Sequence, residues 1–297
     1  MKLVTVTGCL GLIGSYVTRR CLERGWKVYG IDKCTYAANV EYIEEFTKNE
    51  NFTFVKEDIV TLRYLPDCDY VIQTNITGVK NLLDLIRRKQ SNVSEQPIFF
   101  HFSTDEVYGD ITTGAHTEED ILKPSNPYSA SKAAADMLVL AWARTYGVKY
   151  ILLRPTNNYG IGQYPEKLIP VSVKMLMRNK KIRLHDEGEP IRNWLHADDT
   201  AAAVMTIIDK LQHNKIFNVA GGFEQKNITT VKKIIHSYYR DNRDCLKYVD
   251  LKHQREGQDV RYALDDSKLK ALSWAPQKNF DEEIGKIVNH YKENFKW

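Results

Sequence analysis

The sequence predicts an α/β chain, a doubly wound parallel sheet of the Rossmann-like kind with a smaller C-terminal substrate-binding lobe. Three observations predict it. Short β-branched and aromatic runs alternate with stretches of helical periodicity through residue 153, the pattern of a parallel sheet with crossover helices. A glycine-rich turn joins the first run to the first helix, a strand–turn–helix context. After Arg154-Pro155 the alternation loosens into helices separated by charged, glycine-bearing loops.

Taken in order, residues 3–7 form a short β-branched run that reads as a buried strand. Residues 12–24 read as a helix stopped at Gly25. Residues 27–31 make a second strand, ended by Asp32, and residues 52–55 and 70–72 two more. Residues 75–88 have helical periodicity, 97–102 are again a buried strand, 129–146 an Ala-rich helix and 149–153 a strand. Later helices are expected over 168–177, 198–210 and 229–240. This divides the chain into a dinucleotide-binding domain over 1–155 and a ligand lobe mainly over 156–297, with some chain returning to the first domain. The lobe closes over a ligand at the carboxyl edge of the sheet.

Composition narrows the class. The 297 residues carry a formal charge of +4 with acids and bases interleaved, so no basic stripe marks a nucleic-acid binder. The mild positive balance suits an anionic small molecule. Five cysteines are scattered without metal-ligand spacing, which points to a reduced, cytoplasmic protein without structural zinc. The opening residues are too quickly broken by glycines for a signal peptide, and no apolar run is long enough to span a bilayer.

The turn reads Gly8-Cys9-Leu10-Gly11-Leu12-Ile13-Gly14. Glycines let the backbone approach a pyrophosphate, and the helix start offers free N–H groups and a positive dipole end. Asp32, at the end of the second strand, can accept from both ribose hydroxyls and would repel a 2′-phosphate. This favours NAD over NADP, with Lys33 next door weakening the preference. Asp58-Ile59 follows the third strand, where it can flank the adenine.

Tyr128 and Lys132 share one helix face at i and i+4. An ammonium beside the phenol is expected to lower the tyrosine pKa from about 10 towards neutrality and make a general base. Asp105 and Glu106 follow a buried strand and so lie at the carboxyl edge. Elimination of water needs one group to take a carbon-bound proton and another to protonate the departing hydroxyl. An adjacent acidic pair is, however, also what a helix N-terminus favours.

Read together, these motifs resemble the extended short-chain dehydrogenase/reductase family and, within it, the dTDP-glucose 4,6-dehydratase group. The likeness runs over nearly the whole chain. It rests on the glycine turn, on Asp32-Lys33-Cys34-Thr35-Tyr36-Ala37-Ala38-Asn39, on Ser103-Thr104-Asp105-Glu106-Val107-Tyr108-Gly109 and on Asn126-Pro127-Tyr128-Ser129-Ala130-Ser131-Lys132. It continues through Arg154-Pro155-Thr156-Asn157-Asn158-Tyr159-Gly160, Pro165-Glu166-Lys167-Leu168-Ile169-Pro170, Arg192-Asn193-Trp194-Leu195 and the stretch from Arg255 to Tyr262. The Thr-Asp-Glu triplet is the specific part: related 4-epimerases lack the acidic pair, and related decarboxylases keep only the glutamate.

The resemblance implies NAD-dependent dehydration of a nucleoside-diphosphate-glucose to its 4-keto-6-deoxy product. Tyr128 would take the O4 proton, with Lys132 tuning it and Thr104 bonding near O4. Glu106 would take the C5 proton, and Asp105 would protonate the leaving C6 hydroxyl. The cofactor would be held by Gly8, Gly11, Leu12, Ile13, Gly14, Asp32, Lys33, Thr35, Asp58, Ile59, Ser103, Tyr128, Lys132 and Asn157. The nucleotide sugar would meet Asn158, Lys167, Leu168, His185, Arg192, Asn227 and Arg255, and the assembly would be a homodimer.

The chain departs from the group in four places. Cys9 and Leu12 stand in the glycine turn for the usual Gly and Phe. Glu256 and Gln258 replace Pro and His. His185 stands where tyrosine is common, so thymine or uracil remains open, with dTDP-glucose favoured over UDP-glucose. Roughly twenty residues of the group are missing after Ile72, which runs straight into Gln73-Thr74-Asn75, more than ordinary loop variation explains. The competing readings are a 4-epimerase or decarboxylase, against which Asp105 argues, and a non-catalytic nucleotide-sugar-binding protein, supported only by that missing stretch.

Overall fold

A computed structural model describes residues 2–65, 69–73, 78–88, 97–254 and 259–295. The strands of the first half are β1 (Leu3–Thr7), β2 (Lys27–Asp32), β3 (Phe52–Lys56), β4 (Tyr70–Gln73), β5 (Ile98–Phe102) and β6 (Tyr150–Pro155). Between them run helices α1 (Leu12–Glu23), α2 (Glu41–Thr47), α3 (Val79–Arg88) and α4 (Pro127–Tyr146). Gly25, at φ +68°, ends α1 in the left-handed region, as expected of a helix-stopping glycine. Helix α2 was not expected; its seven residues are too few to show a period.

The second half holds β7 (Asn157–Tyr159), β8 (Ile182–His185), β9 (Ile191–His196), β10 (Lys215–Val219), β11 (Glu224–Lys226) and β12 (Val249–His253). Its helices are α5 (Leu168–Met177), α6 (Ala197–Asp209), α7 (Asn227–Tyr239), α8 (Ser267–Lys270) and α9 (Phe280–Asn294).

Among the described residues the large sheet has seven strands in the order β10-β6-β5-β4-β1-β2-β3, every pair parallel. The chain winds outward from β1 to β3, then crosses back to lay β4 on the other side of β1. That reversal is a topological switch point, and its crevice is where an open α/β sheet binds ligands. Helices α1 and α6 pack on one face through Val17, Cys21, Ala201 and Val204. Helices α3 and α4 pack on the other through Leu82, Leu83, Ala135 and Val139.

Strand β10 therefore joins the first-half sheet although it lies 60 residues after β6. The rest of the second half forms a separate apolar core around Ile169, Val173, Ile234, Ile284 and Tyr291. This core carries a three-stranded sheet, β11-β9-β7, and the parallel pair β12-β8. Among the described residues no helix is long and apolar enough to cross a membrane. Ile72 and Gln73, where the missing stretch is expected, are consecutive residues of β4; the following residues 74–77, and Arg255, Glu256 and Gln258, lie outside the described residues.

Candidate active site

The glycine turn has the geometry its spacing predicts. Gly8 sits at φ +68°, which an L side chain rarely tolerates. A Cβ on Gly14 would stand 2.1 Å from the Gly8 carbonyl oxygen, so α1 can start this close to β1 only with glycine there. The start of α1 has no side-chain cap and no acid in its first turn, leaving N–H groups and dipole open to an anion.

Asp32 ties this turn to the end of β2. Its Oδ2 accepts from Leu10 N at 3.1 Å and its Oδ1 from Cys34 N at 2.9 Å. Lys33 pairs with Asp58 at 3.1 Å, and the Val60 amide and Lys33 together hold the Asp58 carboxyl below its usual range. Thr35 is exposed at the same edge. Ile59 differs from expectation. Its side chain packs into the core with Leu62 and Leu83, and its carbonyl accepts from Asn81 at 2.7 Å. An apolar side chain after a strand is drawn inward, so Ile59 offers no side chain to a ligand.

The acidic pair opens a one-turn 3₁₀ helix, Asp105–Tyr108, directly after β5. Thr104 caps it, its Oγ1 accepting from Glu106 N at 3.4 Å and donating to Asp105 Oδ1 at 3.1 Å. Thr156 donates to Asp105 Oδ2 at 2.9 Å, and Asn126 Nδ2 donates to Glu106 Oε2 at 3.3 Å. Burial first, and the neighbouring Glu106 second, push the Asp105 carboxyl up to about 7. Asp105 can thus carry a proton at neutral pH, as a general acid must.

Helix α4 begins with a capping box between Asn126 and Ser129 and a proline in its first turn. This start fixes Tyr128 on the cleft wall with its ring half exposed. The expected activation by Lys132 is not what the structure shows. Partial burial, then Glu106 and Asp105, push the Tyr128 phenol up to about 12. Lys132 is withdrawn beneath the end of β5, where Nζ donates to Phe102 O at 2.6 Å. Burial lowers its ammonium to about 8, partly offset by Asp136 one turn further along. Burial, reinforced by two carboxylates, thus holds the phenol protonated, and Lys132 is turned to a backbone carbonyl instead.

These elements enclose one cleft of about 340 Å³. Of the expected residues it brings together Gly11, Leu12, Ile13, Ser103, Thr104, Asp105, Glu106, Tyr128, Asn157, Asn158 and Lys167. Ser103 Oγ and Asn157 Nδ2 are buried without a hydrogen-bond partner among the described residues, as polar atoms kept for a ligand would be. With the glycine cradle, they fit a dinucleotide. Asn158 is engaged internally, taking a hydrogen bond from Thr200 at 2.6 Å.

Leu168, His185, Arg192 and Asn227 do not line this cleft. Leu168 packs on the second core, and His185 is exposed beside His253. Arg192 donates to the carbonyls of Ile191 and Asp259 at 2.7 and 3.1 Å. The Asn227 backbone N–H donates to Pro190 O at 3.0 Å. Sequence reasoning gave no ligand role to Ala37, Thr156, Gln163 or Tyr164, which the cleft includes. For Thr156 a signal existed: a hydroxyl one residue past a buried strand belongs to the carboxyl edge. Among the described residues no group of three or more His, Cys, Asp or Glu could hold a metal ion.

A sheet with a dinucleotide cradle at its switch point, and an acid pair and a tyrosine in the same crevice, defines a class. The chain belongs to the NAD dependent epimerase/dehydratase family, whose model matches residues 4–220. It is 35% identical to the dTDP-glucose 4,6-dehydratase of Escherichia coli over 346 residues, covering 99% of this chain and 94% of that protein. That alignment is longer than the 297 residues here, so stretches of the relative have no counterpart in this chain. Among solved structures it is similar to the dTDP-glucose 4,6-dehydratase of Streptomyces venezuelae with NAD bound, at TM-score 0.91 and 30% identity, covering 99% of this chain and 98% of that one. The Bacillus anthracis dTDP-glucose 4,6-dehydratase in complex with NAD superposes at TM-score 0.88, with 30% identity and coverage of 99% and 97%.

Proposed function

We propose that this chain is an NAD-dependent nucleotide-sugar 4,6-dehydratase acting on dTDP-glucose. The observation that carries the reading is the pairing of Asp105, raised to about 7, with Glu106 on one cleft wall beside Tyr128. Two adjacent acids in different environments suit the two proton transfers of an elimination. In this reading the seven-stranded sheet holds the cofactor and the smaller lobe holds the nucleotide sugar.

Gly8, Gly11 and Gly14 admit the pyrophosphate to the start of α1, Asp32 receives the adenosine ribose, and Ser103 Oγ and Asn157 Nδ2 meet the rest of the dinucleotide. NAD held there would supply the hydride acceptor for C4 and the hydride donor for C6. Tyr128 Oη takes the O4 proton, and Thr104 orients that oxygen. Glu106 takes the C5 proton, made acidic by the new C4 ketone, and returns a proton to C5 when hydride reaches C6. Asp105 gives its proton to the C6 hydroxyl as water leaves. The acid form of Asp105 also removes one of the two negative charges that hold the Tyr128 phenol up, so acid at Asp105 and base at Tyr128 favour each other.

We infer a homodimer in a reducing cytoplasm. Helices α3 and α4 pack together on one sheet face, with Met137 exposed on the outer side of α4. A monomer by light scattering at micromolar concentration contradicts that assembly. The activity is tested by incubating the protein and NAD with dTDP-glucose and with UDP-glucose. A 4-keto-6-deoxy product, faster from dTDP-glucose, supports the reading; a 4-epimer contradicts it.

A further inference from the structure

Asp105 has two carboxyl oxygens, and the hydroxyls around it distinguish them. A hydroxyl has one hydrogen to give and two lone pairs to receive. Thr104 Oγ1 already accepts the Glu106 N–H, so its hydrogen goes to Asp105 Oδ1 at 3.1 Å. Thr156 Oγ1 stands 2.9 Å from Asp105 Oδ2 and 3.1 Å from the carbonyl oxygen of Asn193. With Asp105 ionised, both neighbours are acceptors, and the Thr156 hydrogen can serve only one. Both contacts are satisfied together when Oδ2 bears a proton: Oδ2 donates to Thr156 Oγ1, which donates to Asn193 O. Asp105, Thr156 and Asn193 are 3%, 4% and 2% exposed, so water does not substitute for a missing partner.

We propose that Thr156 is the positioning residue of the acid: it holds the transferable proton on Asp105 Oδ2 and, when that proton leaves, turns its own hydrogen from Asn193 O to Oδ2. This rests on Asp105 being the general acid of the proposed dehydration. The hydrogen on Oδ2 turns from Thr156 Oγ1 to the departing C6 oxygen, and the bond that breaks is Oδ2–H. The Thr156 O–H bond stays intact and only rotates, so no heavy atom moves and both protonation states keep a partner. The charged and titratable groups facing Asp105 are Glu106 beside it, Tyr128 on α4 and Arg192 on β9. They set the electrostatic field, while Thr156 sets how the proton is held.

The test is a carbon-13 NMR titration of the Asp105 carboxyl in ligand-free protein labelled at aspartate, with Asp105→Asn identifying the resonance. Thr156→Val moves the midpoint upward, because the charge-assisted hydrogen bond lost from the ionised form is stronger than the neutral one lost from the acid, and Thr156→Ser restores it. In turnover, Thr156→Val slows elimination about tenfold, the worth of one buried hydrogen bond, and Thr156→Ser recovers the rate. A midpoint unchanged in Thr156→Val, or moved equally in the Ser variant, overturns the proposal. Thr156→Ala serves as the hydroxyl-free variant if Val disturbs folding, seen in near-ultraviolet circular dichroism. If the wild-type chain makes no 4-keto-6-deoxy product, the dehydratase reading fails, while the titration still decides the part played by Thr156.

Discussion

The carboxyl edge of the seven-stranded sheet and the lobe facing it hold their ligand-directed side chains in different ways. On the sheet side each group follows a strand end: Gly11 to Ile13 after β1, Ser103 to Glu106 after β5, Thr156 and Asn157 after β6. On the lobe side Lys167 reaches the cleft, while Leu168, His185, Arg192 and Asn227 stand away from it on elements bound to the second core. A parallel sheet delivers all its strand ends to one edge, so chemistry placed there is assembled by the backbone. A lobe of short strands has no such edge, and its contacts depend on how it meets the ligand.

The comparison predicts large losses on the sheet side. Glu106→Gln removes the proposed C5 base and lowers product formation at least about a hundredfold, while exchange at C4, read as reduced-cofactor absorbance, survives. Equal loss of both signals would place Glu106 in binding. Gly14→Ala forces a Cβ to 2.1 Å from Gly8 O. It abolishes measurable NAD binding by calorimetry and costs about 1–3 kcal/mol of stability as overpacking. Tight binding in that variant would show that the cradle is not the pyrophosphate site. Asp32→Ala weakens NAD about tenfold, the loss of charge-assisted hydrogen bonds to the ribose, and narrows the preference over NADP.

Asp105 gives a pH-dependent sign. Its folded carboxyl keeps the proton up to about 7, against 3.8 for an unperturbed group. The folded state therefore binds more protons than the unfolded state between these values. Stability from this group is full below 3.8 and is lost as pH rises to about 7. The melting temperature of Asp105→Asn relative to wild type should climb across that window and level off above it. A flat difference would show that Asp105 titrates normally. The smallest effect is expected in the lobe: His185→Ala, exposed and off the cleft wall, should change KM less than about threefold. A larger change would mean that the lobe brings His185 onto the substrate.

The same division explains what could be read from the residues alone. Strands β1 to β6 and helices α1 and α4 announce themselves through periodicity, the glycine turn and the Ala-rich run from 129 to 146, because each depends on neighbours in sequence. Strands β7 to β12 escape because charged and polar residues break their apolar runs; β7 and β11 have only three residues, and β11 and β12 are strands only by pairing with β9 and β8. Helix α9 was missed although Asn279 caps it and three acids fill its first turn. At the site, the acids and glycines were legible as motifs. The environment of Tyr128 was not: the YxxxK spacing shows the lysine, but only the fold shows the burial of the phenol, the two carboxylates beside it and Lys132 bound to the Phe102 carbonyl.

The central claim is that Asp105 and Glu106 divide an elimination between them, and Asp105→Asn tests it most directly. Mixed in a single turnover with dTDP-glucose and NAD, this variant should accumulate reduced cofactor absorbing at the nicotinamide band, with 4-keto-6-deoxy product delayed. Product formed at the wild-type rate, or no reduced cofactor at any time, would contradict the account.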